Sequence, residues 1–232
     1  MKKNSDELLL WNCAAKAYAA SQDDSEFSKL NKDIVCSRFP CFHGESVLDL
    51  GCGPGWYTEY FRSHGAHTIG CDGSEAMITE ARNAYPLCRF DSAILGEPLP
   101  YKNSSFHMVF CNQVLMDIEN LSESFSEIAR ILKNGGLFYM SIAHPAFYDA
   151  PWIADENGFL RYKKLERYLS QYSFSNRFWG ETRHYHRPLS TYVNGALSCG
   201  LRLSSMDEPV SYDGSKKSAE FPLFLFMEFR KS

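Results

Sequence analysis

Apolar and polar residues follow two kinds of pattern along this chain, short apolar runs and longer stripes with helical spacing. The apolar runs predict strands at 46–50, 67–71, 89–91, 106–111, 136–142, 201–204 and 223–229. Helical stripes lie between most of these runs, and the clearest consists of Leu121, Phe125, Ile128 and Leu132. Because strands that alternate with helices form parallel sheets covered on both faces, the pattern predicts an α/β fold. We expect a doubly wound, mostly parallel, seven-stranded sheet.

Polar residues at the predicted helix starts supply capping groups. Ser74 is a candidate N-cap for the helix after the second strand, and Asn120 begins an Asn-x-x-Glu capping box that ends at Glu123. A later helix has Ser190 as its candidate N-cap and ends near Gly200. Each of these signals agrees with the helical stripe that follows it.

The segment before the first predicted strand carries two helical stripes. Their members are Leu8, Trp11, Ala15 and Tyr18, followed by Phe27, Leu30, Ile34 and Val35. A chain of 232 residues accommodates one domain with an appended element. We therefore expect an N-terminal helical cap over 1–43 and one main domain over 44–232.

Residues 143–187 interrupt the strand–helix alternation after the fifth predicted strand. The segment is rich in aromatic residues and includes one predicted helix, which places Leu165, Leu169 and Tyr172 on one side. Connections of this length in compact folds are usually lids or binding elements. We expect an inserted lid, and the alternative is a cover for the sheet edge or a dimer contact.

Composition and charge restrict the classes of function. The apolar share of 44% supports a buried core, and the net charge of −4 gives no general attraction to nucleic acid or an anionic membrane. No apolar run approaches the ~20 residues of a membrane helix, and the first residues lack a signal-peptide pattern. The eight cysteines form no Cys-x-x-Cys pair. We therefore expect reduced thiols, no zinc site and a cytoplasmic protein.

A glycine-rich loop, Gly51-Cys-Gly53-Pro-Gly55, follows the first predicted strand. Glycines let a ligand approach the backbone closely, and a doubly wound sheet holds nucleoside cofactors at this crevice. A dinucleotide site would require a glycine where this chain has Trp56, so the loop favours a cofactor without pyrophosphate. Asp72 ends the second strand and would accept the ribose hydroxyls, although a capping or turn role is the alternative.

Several ordered motifs resemble those of the class I S-adenosylmethionine-dependent methyltransferases, and most closely the type 11 group. The matching segments are 47–55, 70–74, 89–92, 99–101, 105–110 and 128–136, with a weaker match at 187–192. Together they cover about residues 46–142. The resemblance implies a Rossmann-like sheet, S-adenosyl-L-methionine as cofactor, and transfer of its methyl group.

The resemblance also implies roles for individual residues on the methionine side of the cofactor. The positions that would face the methionine part are Asp49, Gly51, Cys52, Gly53 and Gly55. Tyr18 in the N-terminal segment would close over the methionine carboxylate, and the alternative is a helix aromatic packed in the core.

The remaining implied cofactor contacts follow the later strands. Asp72, with its neighbour Gly73, would hold the ribose, while Asp91 and Ser92 would meet the amino edge of the adenine. The backbone of Asn112, after the fourth strand, would border the methyl group.

We expect the residues that bind the methyl acceptor to lie in the inserted segment, where His144 and Tyr185 are the candidate catalytic residues. Each can exchange a proton or a hydrogen bond, and a general base is needed only when the acceptor starts protonated. His184 and His186 would share one face of an extended segment, which is metal-like spacing. No third ligand is evident, so we predict no metal site.

Three hypotheses for the function follow from this sequence. The first is a methyltransferase that acts on a small-molecule acceptor as a monomer or homodimer, without membrane or nucleic-acid partners. The second is an RNA- or protein-modifying methyltransferase, which is less favoured because the Asn-Pro-Pro-Tyr type motif of base-amine enzymes is replaced by the residues at 112–115. The third is a non-catalytic S-adenosylmethionine-binding module.

Overall fold

The computed structural model describes residues 4–23 and 25–232. Its helices are α1 (Asn4–Ser21), α2 (Glu26–Arg38), α3 (Trp56–Ser63), α4 (Glu75–Ala84), α5 (Leu121–Ile131) and α6 (Leu189–Ser198). Its strands are β1 (Ser46–Leu50), β2 (His67–Asp72), β3 (Arg89–Ser92), β4 (Phe106–Asn112), β5 (Leu132–Ala143), β6 (Trp152–Ala154), β7 (Leu160–Lys163), β8 (Tyr172–Asn176), β9 (Thr182–His186), β10 (Leu201–Asp207) and β11 (Phe224–Lys231). A 3-10 turn spans Leu115–Asp117.

Seven strands form one central sheet in the order β10-β11-β5-β4-β1-β2-β3. Every pair that involves β1, β2, β3 or β4 is parallel, and the two antiparallel pairs are those that β11 forms with β5 and β10. This confirms the predicted α/β, Rossmann-like, mostly parallel sheet. The strand order reverses between β1 and β4, and doubly wound sheets bind their ligands in the crevice at such a reversal.

Side chains of the central strands alternate between two apolar cores, one on each face of the sheet. Leu48 and Val109 point towards the core beneath α5 and α6, while Phe110 points towards the core beneath α3. The second core is mostly aromatic, with Phe110 stacked on Tyr139 at a centroid distance of 5.1 Å and packed edge-on against Phe61 at 4.8 Å. These fully buried rings hold β1 and β4 in fixed positions at the crevice.

Two of the predicted caps differ from those in the structure. The Ser74 hydroxyl accepts a hydrogen bond from Met77 N at 3.2 Å, as predicted. Asn120 occupies the N-cap position of α5, but its side chain makes no capping hydrogen bond. The prediction of Ser190 as an N-cap is wrong, because the fixed backbone angle of Pro188 starts α6 at Leu189.

The helix predicted around Leu165, Leu169 and Tyr172 is wrong. Residues 164–171 contain no helix, and Tyr172 instead begins β8. Leu165 is 47% exposed and Leu169 is 82% exposed, so no apolar surface receives the stripe. Apolar residues at helical spacing stabilise a helix only when an apolar core packs against them, and no core packs against this stripe.

The inserted segment contains two small antiparallel sheets in place of a helix. β6 pairs with β7, and β8 pairs with β9. β9 packs against α1 and against the 3-10 turn after β4. The inserted segment therefore reaches the same end of the sheet as the crevice.

Candidate cofactor-binding site

A solvent-open cavity lies at the carboxyl ends of β1, β2 and β4, and its empty space, open solvent included, is about 830 Å³. Helix α1 forms one wall, and the segment 112–119 forms another. The predicted cofactor residues that line it are Tyr18, Gly51, Gly53, Asp72, Gly73 and Asn112.

Two glycines of the loop after β1 have backbone angles that favour glycine, for different reasons. Gly51 has a φ of 76°, and a Cβ there would lie 2.5 Å from a methyl carbon of Val114. Gly53 has a φ of 52°, and the nearest atom to its Cβ would be Tyr18 Cε1 at 3.6 Å. Gly51 therefore permits close packing within the protein, whereas Gly53 leaves its backbone accessible from the cavity.

The carboxylate of Asp72 is fixed by the loop that it faces. Its Oδ2 accepts a hydrogen bond from Gly53 N at 2.9 Å, and its Oδ1 accepts one from Ser74 N at 2.8 Å. Burial raises the pKa of Asp72, and these backbone N–H groups oppose that rise. Each carboxylate oxygen retains the capacity to accept a further hydrogen bond, such as one from a ribose hydroxyl.

Three predicted residues of the first motif lie beneath the cavity and do not line it. Asp49 is buried, and Thr58 Oγ1 donates a hydrogen bond to its Oδ2 at 2.6 Å. Burial raises the pKa of Asp49 to about 7. Cys52 is also buried, and a Cβ on Gly55 would lie 2.7 Å from the ring of Phe90. These residues support the loop from below, and their contact with the cofactor stays a prediction.

The two residues predicted to contact the adenine lie outside the lining of the cavity. The Asp91 carboxylate lies 2.8 Å from the Arg89 guanidinium, and neither Asp91 nor Ser92 lines the cavity. The apolar side chains of Met77, Ile94 and Leu95 form this part of the wall. A planar ring would therefore meet an apolar surface here, and the role predicted for Asp91 and Ser92 is not tested.

Helix α1 closes the cavity through side chains that the sequence analysis did not assign to it. Glu7, Leu8 and Trp11 line the cavity together with Tyr18. A Cβ on Gly73 would lie 2.6 Å from Leu8 Cδ2, so the absence of a side chain at Gly73 admits the helix. Helical spacing predicted α1, but no local signal indicates which part of the sheet it covers.

The chain after β4 delivers further polar groups to the cavity. Gln113 has a positive φ of 58°, and its N–H donates to Ser141 O at 2.9 Å. The 3-10 turn follows at once and places Asp117 in the cavity wall. Ser141 Oγ donates to Asn112 Oδ1 and so orients that side chain. Asp117 was missed in the sequence because a lone acid near a helix start usually caps or faces solvent.

The two predicted catalytic residues lie at different distances from the cavity. His144 is buried with its Nε2 2.7 Å from Glu208 Oε1, and it does not line the cavity. The Tyr185 hydroxyl donates to Glu7 Oε1 at 2.6 Å, and Glu7 does line the cavity. Tyr185 is therefore one side chain removed from the cavity, and a catalytic role for either residue stays a prediction.

The two histidines of the His-x-His pair have separate partners. His184 Nε2 lies 3.5 Å from Asp117 Oδ1, and His186 Nε2 donates to Tyr168 O at 2.9 Å. Within 4–23 and 25–232, no group of three or more His, Cys, Asp or Glu side chains is arranged to hold a metal ion.

Comparisons with known proteins agree with this geometry. Residues 48–140 match the model of a type 11 methyltransferase domain family. The chain is 29% identical over 116 residues to a malonyl-[acyl-carrier protein] O-methyltransferase of Enterobacter lignolyticus, covering 50% of this chain and 46% of that protein. It is 34% identical over 125 residues to a demethylmenaquinone methyltransferase of Tropheryma whipplei, covering 51% of this chain and 50% of that protein. The chain thus spans about half the length of these curated relatives.

A solved structure matches more of the chain. The putative S-adenosylmethionine-dependent methyltransferase from Listeria monocytogenes superposes with a TM-score of 0.73 at 27% identity, covering 87% of this chain and 97% of that one. Fold, motifs and comparisons together make this chain similar to the class I S-adenosylmethionine-dependent methyltransferases. Within this class the chain is similar to the type 11 domain family over the residues that build β1 to β5.

The cavity fits the cofactor of this class, S-adenosylmethionine. A side chain at position 53 would occupy part of the cavity, and the fixed Asp72 carboxylate presents acceptors to a ribose. The apolar wall of Met77, Ile94 and Leu95 suits an adenine ring. In the part of the chain that the structure describes, no helix is long and apolar enough to cross a membrane.

Proposed function

We propose that this protein transfers a methyl group from S-adenosylmethionine to a small-molecule acceptor. The observation that carries the proposal is one continuous cavity that runs from Gly53 and Asp72 to Asp117. The first two residues account for contacts with the cofactor. The walls beyond them, built by residues 112–119 and α1, are then available to an acceptor.

The bound cofactor supplies an electrophilic methyl group on a sulfonium centre. The residues of the chain contribute position and exclusion of water, which are the main sources of rate in an in-line displacement. Gly53 admits the cofactor to the loop backbone, and Asp72 fixes its ribose. Helix α1 covers the cavity and reduces the access of water to the reacting atoms.

The charge of the cavity favours a small molecule over nucleic acid. Among the described residues, its lining contains the four carboxylates of Glu7, Asp72, Asp117 and Glu119, and no Lys or Arg side chain. A phosphate backbone binds through lysine and arginine and would be repelled here. The relatives named above act on different acceptors, so their names do not identify the acceptor of this chain.

The proposal predicts selective binding of sulfonium cofactors. Titration calorimetry should detect S-adenosylmethionine and S-adenosylhomocysteine and no binding of NAD, because the carboxylates of the cavity repel a pyrophosphate. Screening metabolites for transfer of a labelled methyl group then identifies the acceptor. Tight NAD binding would contradict the cofactor assignment. Transfer only to RNA or protein, or binding without any transfer, would replace the small-molecule proposal with one of its two alternatives.

We further propose that the tip of the β8–β9 hairpin acts as a lid. Trp179 packs edge-on against Tyr18 at a centroid distance of 4.8 Å and stacks with Trp11 at 6.4 Å. Both partners belong to α1 and line the cavity. The inserted segment thus supports the proposed lid role by contact with the helix that covers the cavity.

Trp179→Ala should weaken binding of S-adenosylhomocysteine by about 3- to 10-fold, since each lost aromatic pair is worth about 0.5–1.5 kcal/mol. The substitution should weaken the packing of α1 against the cavity, and the ligand then loses affinity because α1 forms one wall of its site. Titration calorimetry gives the affinity, and Phe178→Ala is the matched control because Phe178 is 75% exposed. Equal affinities of the two variants would show that the hairpin tip does not support the site.

We also propose a cytoplasmic location. All eight cysteines are free, and three of them, Cys52, Cys71 and Cys111, are buried in the core. Reduced thiols of this kind are typical of proteins from a reducing compartment.

A further inference from the structure

Asp117 is a buried carboxylate in the cavity wall whose hydrogen-bonding capacity is not used. The residue is 8% exposed. Its Oδ1 has no hydrogen-bond partner among the described residues. Leaving a buried acceptor without a donor costs free energy, so such a group calls for a partner, which can be an ordered water, an ion or a ligand. Asp117 lines the cavity, so a donor on a bound molecule could pair with this carboxylate.

Glu7 presents a second unused carboxylate oxygen on the wall formed by α1. Its Oε1 accepts from the Tyr185 hydroxyl at 2.6 Å and from Arg183 Nη1 at 3.0 Å. Its Oε2 is buried and, within the described residues, has no partner. Arg183 thus balances the charge of Glu7, whereas Asp117 has no lysine or arginine partner among the described residues.

The position of Asp117 in the fold separates it from the cofactor contacts. Gly53 and Asp72 follow β1 and β2, whereas Asp117 stands in the 3-10 turn after β4. The proposed function assigns the first two to the cofactor. Asp117 then belongs to the part of the cavity that receives the acceptor.

We propose that the methyl acceptor is an amine and that Asp117 binds its ammonium group and takes a proton from it before methyl transfer. This inference rests on the proposed function and specifies its substrate class. A carboxylate acceptor would meet the acidic side chain of Asp117 in a lining without lysine or arginine, and like charge at close range opposes binding. An ammonium group carries both the donors and the charge that this cavity lacks.

The reaction balances in protons and electrons. The ammonium gives one proton to the Asp117 carboxylate and becomes a neutral amine with a lone pair. That lone pair forms the new N–C bond to the methyl carbon, and the electrons of the broken C–S bond stay on sulfur. The product is a methylated ammonium ion and S-adenosylhomocysteine, and Asp117 returns its proton to solvent. Burial raises the pKa of Asp117, with a further contribution from Asp72, which suits a group that must hold a proton.

His184 lies beside Asp117 without a hydrogen bond to it. Its Nε2 lies 3.5 Å from Asp117 Oδ1, and its ring lies parallel to Tyr148 at a centroid distance of 5.8 Å. Asn176 Nδ2 lies 3.3 Å from the same nitrogen. Burial lowers the pKa of His184 to about 4, so the ring is neutral and leaves the charge of Asp117 available to the ammonium.

The test uses sinefungin, the analogue of S-adenosylmethionine in which an amine-bearing carbon replaces the methylated sulfur. Its ammonium group lies near the position of the transferred methyl group, and S-adenosylhomocysteine lacks it. Calorimetry on the full chain should show that sinefungin binds about tenfold more tightly, the scale of one hydrogen bond to a charged group. Asp117→Asn should remove that preference and leave the affinity for S-adenosylhomocysteine unchanged, which also shows that the variant is folded.

Matched variants distinguish the possible outcomes. Asp155→Asn removes a carboxylate that is paired with Arg161 outside the cavity, and it should keep the preference for sinefungin. An Asp117→Asn variant that keeps the preference would overturn the proposal, as would a Glu7→Gln variant that removes it equally. Equal binding of the two ligands by the original protein would overturn the amine assignment alone. Failure of both ligands to bind the original protein would instead contradict the proposed function.

Discussion

Gly53→Ala is expected to weaken binding of S-adenosylmethionine by about 5- to 150-fold, corresponding to about 1–3 kcal/mol of overpacking. The nearest described protein atom to a Cβ at this position is Tyr18 Cε1 at 3.6 Å, so the protein itself has room for the methyl group. The added carbon would occupy the cavity where the cofactor meets the loop backbone. Titration calorimetry with S-adenosylmethionine and S-adenosylhomocysteine measures the loss.

The matched control for this variant is Gly135→Ala. Both glycines have positive φ, 52° for Gly53 and 74° for Gly135, so alanine strains each backbone by about 1–2 kcal/mol. A Cβ on Gly135 meets no described atom within 4 Å, and Gly135 lies outside the cavity. Denaturant unfolding should show similar destabilisation of the two variants. If Gly135→Ala loses as much affinity as Gly53→Ala, the effect is one of stability and the cofactor does not contact the loop.

Asp72→Ala should weaken binding of S-adenosylmethionine by about 10- to 150-fold, the equivalent of about 1.5–3 kcal/mol for a hydrogen bond to a charged group. The variant loses the acceptors for the ribose, and it also leaves the N–H groups of Gly53 and Ser74 without the carboxylate that holds them. Asp72→Asn keeps one acceptor oxygen and should lose less. Calorimetry on the original protein and on the Asp72→Asn and Asp72→Ala variants measures the three affinities.

Asp91→Ala is the control for this loss, and it also tests the adenine contact predicted from the sequence. The Asp91 carboxylate is paired with Arg89, whose side chain is 65% exposed, and exposed pairs contribute little to stability. We expect its affinity for the cofactor to remain within about twofold of the original protein. A loss as large as that of Asp72→Ala would establish Asp91 as a cofactor contact and would separate adenine binding from the cavity wall.

The central sheet was predictable because its signals are local. Each strand of the alternation is a short apolar run, and the loop at Gly51 and Gly53 lies between a strand and a helix, where a doubly wound fold binds nucleosides. Asp72 could be placed for the same reason, since the carboxyl ends of neighbouring parallel strands meet at one edge of the sheet. Residues 46–142 therefore predicted the fold, and they placed the glycine loop and Asp72 at one edge of the sheet.

The acceptor side was not predictable, because its contacts join distant parts of the chain. Tyr185 and Glu7 are 178 positions apart, and their hydrogen bond depends on how α1 docks beside β9. His144 has the chemistry of a base, but burial against Glu208 directs it away from the cavity. The stripe that contains Leu169 has helical spacing and no apolar surface to pack against. Residue type and spacing do not contain this information, which comes only from tertiary packing.

The wall formed by α1 places cofactor binding and helix docking in thermodynamic linkage. Leu8 fills the space above Gly73, and Trp11 and Tyr18 complete the cavity, so the undocked helix would leave the cofactor without one side of its site. A ligand at one hundred times its dissociation constant stabilises the form that binds it by about 2.7 kcal/mol. If the proposed function holds, each cofactor molecule that enters tightens the N-terminal helix, and each product that leaves competes with the docking energy of that helix. Helix docking thus contributes to the residence time of the product as well as to the affinity for the substrate.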